Sequence, residues 1–257
     1  MLYQFRQYLK FLGRSTNQHG VHSPFVYNLV TQCFYHKSSY PEYKTLKAYR
    51  TALLKNKARI TVTDLGAGSV ITKDNNRQIS EIAKSAGTTP KRAKLLFRIT
   101  RYLECQHILE LGTSLGIATT AMRLANPKAA ITSIEGCTNI HEIAQNQTKV
   151  FNLGPVNFIN ADFSKAIEKV QSNSYDLIFF DGNHQKEATG HYFERLLNTA
   201  HNNSVFIFDD IYWSKGMTEA WEQIKQHPKV TVTIDTFNWG LVFFRKEQRK
   251  EHFSIRI

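Results

Sequence analysis

Short apolar runs alternate with longer stretches of helical periodicity from about residue 77 to near the end of the chain. The short runs predict buried β-strands, and the periodic stretches predict amphipathic helices. The predicted strands are 107–111, 130–134, 156–160, 175–180 and 204–208. The predicted helices are 78–86, 90–103, 114–125, 139–152, 163–171, 187–200 and 215–227. Because strands and helices alternate, the strands should form a parallel sheet with helices on both faces.

Two further apolar runs, 229–235 and 240–245, close the pattern. The four residues Thr236–Trp239 that join them are too few for a crossover helix, so these two strands must be antiparallel. The sequence therefore predicts an α/β fold with a Rossmann-like, doubly wound, seven-stranded sheet that ends in an antiparallel hairpin.

The first sixty residues have a different pattern. Leu2, Phe5, Leu9 and Leu12 recur at helical spacing. A second helix should follow Ser23-Pro24, since serine caps helices and proline suits their first turn, and a third should run from Glu42 to about residue 57. We expect an N-terminal helical lid, residues 1–60, on an α/β domain of residues 61–257.

Positive charge is concentrated in this N-terminal region. It holds ten Lys or Arg residues and one acid, so it carries +9 of the chain's net charge of +12. Such a region could bind RNA, an anionic membrane surface or an acidic substrate. It could equally be a solvated basic face over packed aromatic residues, or the surface of a homodimer.

The overall composition is that of a globular protein, with 42% hydrophobic and 21% charged residues. No apolar run approaches the roughly 20 residues that span a bilayer, so no transmembrane segment is predicted. The first ten residues lack the apolar core of a signal peptide. Three scattered cysteines without metal-ligand spacing suggest thiols in a reducing compartment, and we expect the protein in the cytoplasm.

The stretch His107–Thr119, HILELGTSLGIAT, predicts a strand, a glycine turn and the start of a helix. Such a turn brings backbone N–H groups and a helix N-terminus to a bound ligand, typically a nucleotide-like cofactor. A dinucleotide-binding turn has a glycine where this chain has Ser114, which argues against a nicotinamide dehydrogenase. The candidate cofactor-binding residues here are Glu110, Gly112, Thr113, Ser114 and Gly116.

Asp64-Leu-Gly-Ala-Gly68 resembles the same kind of turn. A polar stretch follows it instead of a helix, and no second strand ending in an acid appears about 20 residues later. We interpret it as a loop near the site.

Acidic residues follow nearly every predicted strand, at the sheet edge where α/β proteins bind ligands. Glu135 ends the second strand and could accept hydrogen bonds from both hydroxyls of a ribose, with Gly136 beside it. Asp162, with Ala161, follows the third strand and could accept from an adenine amino group. Each acid alone could instead cap a helix. The remaining acids of this series are Asp181, Asp209 and Asp210.

Residues 89–245 resemble the class I S-adenosylmethionine-dependent methyltransferases, and among them the cation-dependent O-methyltransferases of the catechol and caffeoyl-CoA type. Glu110-Leu-Gly-x-x-x-Gly116 is similar to the first motif of this family. Phe180-Asp-Gly-Asn-His184 stands at the place of its fourth motif, and Asp209-Asp-Ile-Tyr-Trp213 resembles its metal-binding pair with a trailing tryptophan.

The resemblance implies S-adenosylmethionine as the cofactor. It also implies a divalent cation such as Mg²⁺, held by Asp181, Asp209 and Asp210, although these acids could also cap a helix or orient ligands without metal. Asp181 is a candidate for contacting the cofactor and for catalysis. His184 stands where the family has a catalytic lysine, and a histidine is a plausible base near neutral pH. Asp210 stands where the family has asparagine.

We therefore predict a methyltransferase that acts on a hydroxyl of a small molecule. The resemblance also implies that a divalent cation assists the reaction. One alternative is an RNA methyltransferase that uses the basic N-terminal region. Another is a non-catalytic module that binds an adenosine ligand. The sequence leaves the acceptor unidentified.

Overall fold

The computed structural model describes residues 2–63, 75–85 and 88–257. It divides into two compact units. Unit 1 comprises residues 1–36 and 167–257, and unit 2 comprises residues 37–166. The predicted N-terminal region is thus shared between the units, and its role as a lid stays a prediction.

Unit 2 contains three parallel strands in the order β3–β4–β5. Leu111 pairs with Ile134, and Glu135 pairs with Asn160, so the carboxyl ends of the strands share one edge. The strands are β3 (His107–Leu111), β4 (Ala130–Glu135) and β5 (Asn157–Asn160). The predicted strands of this region are confirmed to within a residue at each end.

The helices of unit 2 surround a buried cluster that includes Tyr49, Phe97 and Leu115. These helices are α3 (Glu42–Lys55), α4 (Ile79–Ser85), α5 (Pro90–Tyr102), α6 (Ile117–Ala125) and α7 (Thr138–Val150). Thr89 accepts the backbone N–H of Arg92, which caps α5 just before Pro90. Helix α8 (Phe163–Val170) begins in unit 2 and ends in unit 1.

A separate pair of short antiparallel strands, β1 (Arg59–Thr61) and β2 (Asn76–Gln78), also belongs to unit 2. Strand β2 falls in the polar stretch that follows Asp64–Gly68 in the sequence, where no strand was predicted. The turn Asp64–Gly68, predicted to be a loop, lies outside the described residues.

Unit 1 contains five strands in the order β6–β7–β9–β8–β10. Strands β6 and β7 are parallel, while β9 runs antiparallel to both β7 and β8, so the predicted closing hairpin is confirmed. The strands are β6 (Tyr175–Phe180), β7 (Ala200–Asp209), β8 (Val232–Asp235), β9 (Trp239–Phe243) and β10 (Glu251–Ser254).

Strand β10 was not predicted from the sequence. It pairs in parallel with β8 and buries Phe253. Within the described residues, the two groups of strands therefore total eight instead of seven. Charged residues flank this short strand, and its single buried side chain gives too weak an alternation to predict a strand.

The helices of unit 1 include the first two of the chain. They are α1 (Leu2–Arg14), α2 (Pro24–Leu29), α9 (Lys186–Leu196) and α10 (Lys215–Gln226), with one π-helical turn at Val30–Phe34 and 3₁₀ turns at Gln18–Gly20 and Leu197–Thr199. Thr16 bridges to Ile255 beside the end of β10, which fixes the chain after α1 to the last strand. None of the helices in the described part of the chain is long and apolar enough to cross a membrane.

Candidate functional site

The turn between β3 and α6 is fixed by left-handed backbone conformations. Gly112, Ser114 and Gly116 have φ angles of 104°, 46° and 75°. The prediction that the helix starts at residue 114 is wrong, because a helix cannot continue through these conformations, and α6 begins at Ile117. Gly112 and Thr113 donate their backbone N–H groups to the carbonyl of Ile134, at 2.9 and 3.1 Å, so β4 holds the turn.

The carboxylate of Glu135 lies directly against this turn. Its Oε2 accepts the backbone N–H of Ser114 at 2.9 Å, and its Oε1 accepts the backbone N–H of Cys137 at 2.9 Å. The structure therefore brings together the glycine turn and the acid predicted to bind a ribose. Two main-chain donors fix the position of this half-buried carboxylate at the end of β4.

Glu110 lies beneath the turn and is completely buried. Its Oε2 accepts hydrogen bonds from the hydroxyls of Thr119 and Ser133, both at 2.5 Å. Burial raises the pKa of this carboxyl to about 7, although the two hydroxyls favour its charged form, and the nearby charge of Glu135 adds to the rise. Among the described residues, its Oε1 has no hydrogen-bond partner. In this position Glu110 supports the turn from inside.

Asp162 is exposed after β5, and its Oδ1 accepts the backbone N–H of Ser164 at 2.9 Å. Asp162 therefore caps the start of α8, as its alternative interpretation predicted. Its hydrogen bond to adenine stays a prediction. Ala161 donates its N–H to the carbonyl of Glu135 at 3.2 Å, next to the half-buried Gly136. Glu135, Gly136, Ala161 and Asp162 therefore lie at the edge of unit 2 where β4 and β5 end.

Asn160 is a residue of this edge that the sequence did not single out. Its side-chain amide donates to the carbonyl of Glu135 at 2.8 Å, and its Oδ1 accepts from Thr138 at 2.8 Å. Asn160 thereby ties the end of β5 to the residue that carries the central carboxylate. Its only signal in the sequence was its position as a polar residue at the end of a predicted strand.

Tyr49 of α3 is a second missed residue. Its hydroxyl donates to the carbonyl of Leu115 at 2.9 Å, and a Cβ added to Gly116 would lie only 2.7 Å from that hydroxyl oxygen. Burial raises the pKa of Tyr49 to about 12. The glycine at position 116 is therefore required both by its φ angle and by the close approach of this side chain.

Residues 61–63, at and after the end of β1, contact the start of α7. Thr63 donates its backbone N–H to the sulfur of Cys137 at 3.3 Å, and Asn139 donates its side-chain amide to the carbonyl of Thr61 at 2.7 Å. These contacts place residues 61–63 beside the residue that donates to Glu135.

Unit 1 carries the other predicted site residues at the carboxyl ends of β6 and β7. Phe180 pairs with Phe208 in parallel register, so Asp181 and Asp209 leave neighbouring strands at the same edge. Asp209 is buried, and its Oδ1 accepts the backbone N–H of Asp210 at 2.9 Å. Asp210 itself has a left-handed φ of 53°.

His184 lies on the turn after β6 and faces the turn after β7. Its ring centroid is 6.3 Å from that of Trp213, and the imidazole is half-buried. The residue before it, Asn183, has a φ of 49° and donates its side-chain amide to the hydroxyl of Tyr192 at 3.0 Å. The structure thus brings the motifs 180–184 and 209–213 of unit 1 together.

The predicted metal ligands do not form a ready site. In residues 2–63, 75–85 and 88–257, no group of three or more His, Cys, Asp or Glu side chains is arranged to hold an ion. Asp209 accepts the backbone N–H of Asp210, and the divalent cation that the resemblance implies at Asp181, Asp209 and Asp210 stays a prediction.

Comparison with known proteins connects this arrangement to an activity. A family model described as a methyltransferase domain matches residues 109–211. The match begins in β3, includes the glycine turn, and ends just after Asp209 and Asp210. It therefore contains all of the predicted site residues of both units.

Several solved structures share the fold. The methyltransferase PaMTH1 of Podospora anserina, bound to SAH, is 13% identical, with a TM-score of 0.62 over 88% of this chain and 97% of that one. The O-methyltransferase of Bacillus cereus, in complex with SAH, is 17% identical, with a TM-score of 0.55 over 84% and 96%. The O-methyltransferase TomG of Streptomyces achromogenes, in complex with SAM, is 17% identical, with a TM-score of 0.56 over 63% and 82%.

These findings confirm the Rossmann-like α/β fold and the resemblance to class I methyltransferases. Residues 109–211 match the model of a methyltransferase domain, and on this match the prediction of a methyltransferase enzyme is confirmed.

Proposed function

We propose that this protein transfers the methyl group of S-adenosylmethionine to a hydroxyl group of a small molecule. The observation that carries the proposal is the Glu135 carboxylate, held by the Ser114 N–H of the glycine turn at 2.9 Å inside the methyltransferase domain. The S-adenosylmethionine or its product bound in similar structures, and the O-methyltransferases among them, support the choice of cofactor and reaction.

The residues of unit 2 fit an adenosyl cofactor. Glu135 ends β4 with a carboxylate that can accept both hydroxyls of a ribose, and the Gly112–Gly116 turn supplies main-chain N–H groups at the start of α6. Gly136 and Ala161 would line the adenosine, and Asp162 would accept from its amino group. When bound, S-adenosylmethionine supplies an activated methyl group on a positively charged sulfur.

The turns of unit 1 would handle the acceptor. His184 is assigned as the general base, because a neutral imidazole can take a proton from a hydroxyl near neutral pH. Asp181 and Asp209 leave neighbouring strands beside it and would orient the acceptor or the imidazole by hydrogen bonds. The ring of Trp213 forms an apolar wall against the imidazole.

No step is assigned to a divalent cation, since no group of three ligands is arranged among the described residues. The cation that the resemblance implies predicts that EDTA abolishes turnover, that added Mg²⁺ restores it and that Asp209→Ala mimics chelation. Turnover unchanged by both EDTA and Asp209→Ala would reject the cation.

The acceptor class can be tested by incubating the protein with methyl-labelled S-adenosylmethionine and a fractionated cell extract. We expect the label in the small-molecule fraction, as base-stable methyl ethers of hydroxyl compounds. Label in RNA would favour the alternative in which the basic N-terminal region binds nucleic acid. Cofactor binding without label in any fraction would favour a non-catalytic adenosine-binding module. We place the reaction in the cytoplasm, in line with three cysteines that are buried as thiols.

A further inference from the structure

Helix α1 has two faces of opposite character. One face packs on unit 1: Phe11 is buried with its ring 5.7 Å from that of Phe237, and Arg14 forms an ion pair with Asp235 at 2.6 Å. The hydroxyl of Tyr3 also donates to Thr218 of α10 at 2.8 Å. This face orients the helix on the protein.

The opposite face is apolar and exposed. Leu2, Phe5, Leu9 and Leu12 are 66%, 59%, 53% and 36% exposed, and at 100° per residue they lie in a stripe about 80° wide. Tyr8, which is 42% exposed, borders the stripe. The sequence predicted a helix from the spacing of these residues, and the structure confirms it. The four residues lie on the exposed face of the helix and not on the face that packs against the protein.

The concentration of exposed apolar side chains on α1 is exceptional within this molecule. Of the seven large hydrophobic side chains that are exposed among the described residues, five belong to this one helix. The other two, Tyr27 and Val150, lie elsewhere in the chain. Single exposed apolar residues are ordinary, whereas a contiguous stripe indicates a binding surface.

The charge on α1 indicates the occupant. Arg6 and Lys10 are exposed along one border of the stripe, and the helix contains no acidic residue. A second copy of the helix packed on the stripe would bring like charges together, without an acid on either helix to balance them. An anionic lipid surface would neutralise them and take up the apolar side chains at the same time.

We propose that α1 docks this protein on anionic lipid surfaces, with the helix lying in the plane of the interface. Thirteen residues are too few to span a bilayer, so the attachment is peripheral and reversible. The contacts of Phe11, Arg14 and Tyr3 keep the apolar stripe directed away from unit 1. This surface is independent of the methyl-transfer proposal, since it uses none of the residues assigned to cofactor or acceptor.

The proposal can be tested by co-sedimentation of the full chain with phosphatidylcholine vesicles, with and without phosphatidylglycerol. We expect binding to the anionic vesicles that weakens as salt is raised. Leu9→Ser should lower the vesicle affinity about tenfold, because one leucine no longer enters the interface. Arg6→Gln with Lys10→Gln should lower it by about tenfold as well. Val150→Ser and Lys128→Gln, at exposed positions of the other unit, are matched controls that should bind like the wild type.

A fluorescent variant gives a positive signal of vesicle binding, beside the losses of affinity in the other variants. Phe5→Trp in the full chain should give a tryptophan emission that shifts to the blue with anionic vesicles and does not shift with neutral ones. Absence of binding and of the spectral shift would overturn the proposal. It would also be overturned if the wild type sediments as a dimer in solution that Leu9→Ser converts to monomers, because the stripe would then be a homodimer surface.

Discussion

The edge of unit 2 and the edge of unit 1 carry acidic residues after their strands in the same way, yet they are built differently. In unit 2, main-chain N–H groups of Ser114 and Cys137 hold the Glu135 carboxylate. In unit 1, side chains on two turns meet, with the rings of His184 and Trp213 6.3 Å apart. The first edge presents a carboxylate held by two backbone donors, whereas the second brings an imidazole and an indole close together.

This difference matches the division of labour that we propose. A cofactor that is the same in every turnover suits an edge whose donors are set by glycine conformations. An acceptor that differs from one enzyme to another suits an edge where a single side chain can be exchanged, as His184 stands where the resembling family has lysine.

The largest effect is expected at His184. Replacing it with glutamine removes the base but keeps a polar side chain, so the turnover number should fall by about 10²–10⁴-fold. His191→Gln, at an exposed position on α9, is the matched control and should retain turnover. Steady-state methyl transfer with saturating cofactor measures both. Full turnover in the His184 variant would remove the histidine from the mechanism.

Glu110 tests how far burial beneath the turn controls stability. Its pKa is raised to about 7, so the folded protein binds this proton more tightly than the unfolded chain does. The free energy of unfolding should therefore fall as the pH rises from about 4.5 to about 7, by an amount on the order of 3 kcal/mol. Glu110→Gln should remove this fall, as measured by urea unfolding at both ends of the range.

Glu142→Gln changes an exposed carboxylate on α7 and serves as the control for Glu110. It should leave the pH dependence of unfolding as in the wild type. If Glu110→Gln and the wild type lose the same stability over this range, the buried carboxyl is not the group that titrates.

Gly116 tests the backbone side of the comparison. Gly116→Ala places a Cβ at a φ of 75° and 2.7 Å from the hydroxyl of Tyr49, so it should destabilise the protein by about 2 kcal/mol. Gly154→Ala has the same kind of backbone strain at a φ of 77° with no atom within 4 Å, and should cost only about 1 kcal/mol. Tyr49→Phe should recover part of the cost of Gly116→Ala in a double-mutant cycle. Equal costs at the two glycines would contradict the role of Tyr49.

Asp162 should show the smallest effect. Its alanine variant loses the cap on Ser164 and should lower the free energy of unfolding by about 1 kcal/mol. Asp162→Asn keeps a capping oxygen and should restore most of that stability. If the Asp162 carboxylate also accepts a hydrogen bond from adenine, both variants should bind S-adenosylmethionine more weakly than the wild type does, as measured by calorimetry. Wild-type affinity in both variants would limit Asp162 to capping.

The sequence predicted the backbone-built edge more fully than the details around it. Glycine spacing after an apolar strand indicated the turn, and an acid after the next strand indicated Glu135, because both follow from local geometry. Tyr49 was missed, since its contact with the turn joins residues 66 positions apart and no local pattern reveals it. The start of α6 was misplaced because hydrophobic periodicity does not report the left-handed φ of Ser114.

The central claim is that the glycine turn and Glu135 bind the cofactor while the unit 1 edge acts on the acceptor. Calorimetry of S-adenosylmethionine binding to the wild type, Glu135→Ala and His184→Gln tests it most directly. We predict affinity lowered about 100-fold by Glu135→Ala, from the loss of two charge-assisted hydrogen bonds, and changed by less than about twofold by His184→Gln. Absence of binding to the wild type at millimolar cofactor, or wild-type affinity in Glu135→Ala, would contradict the account.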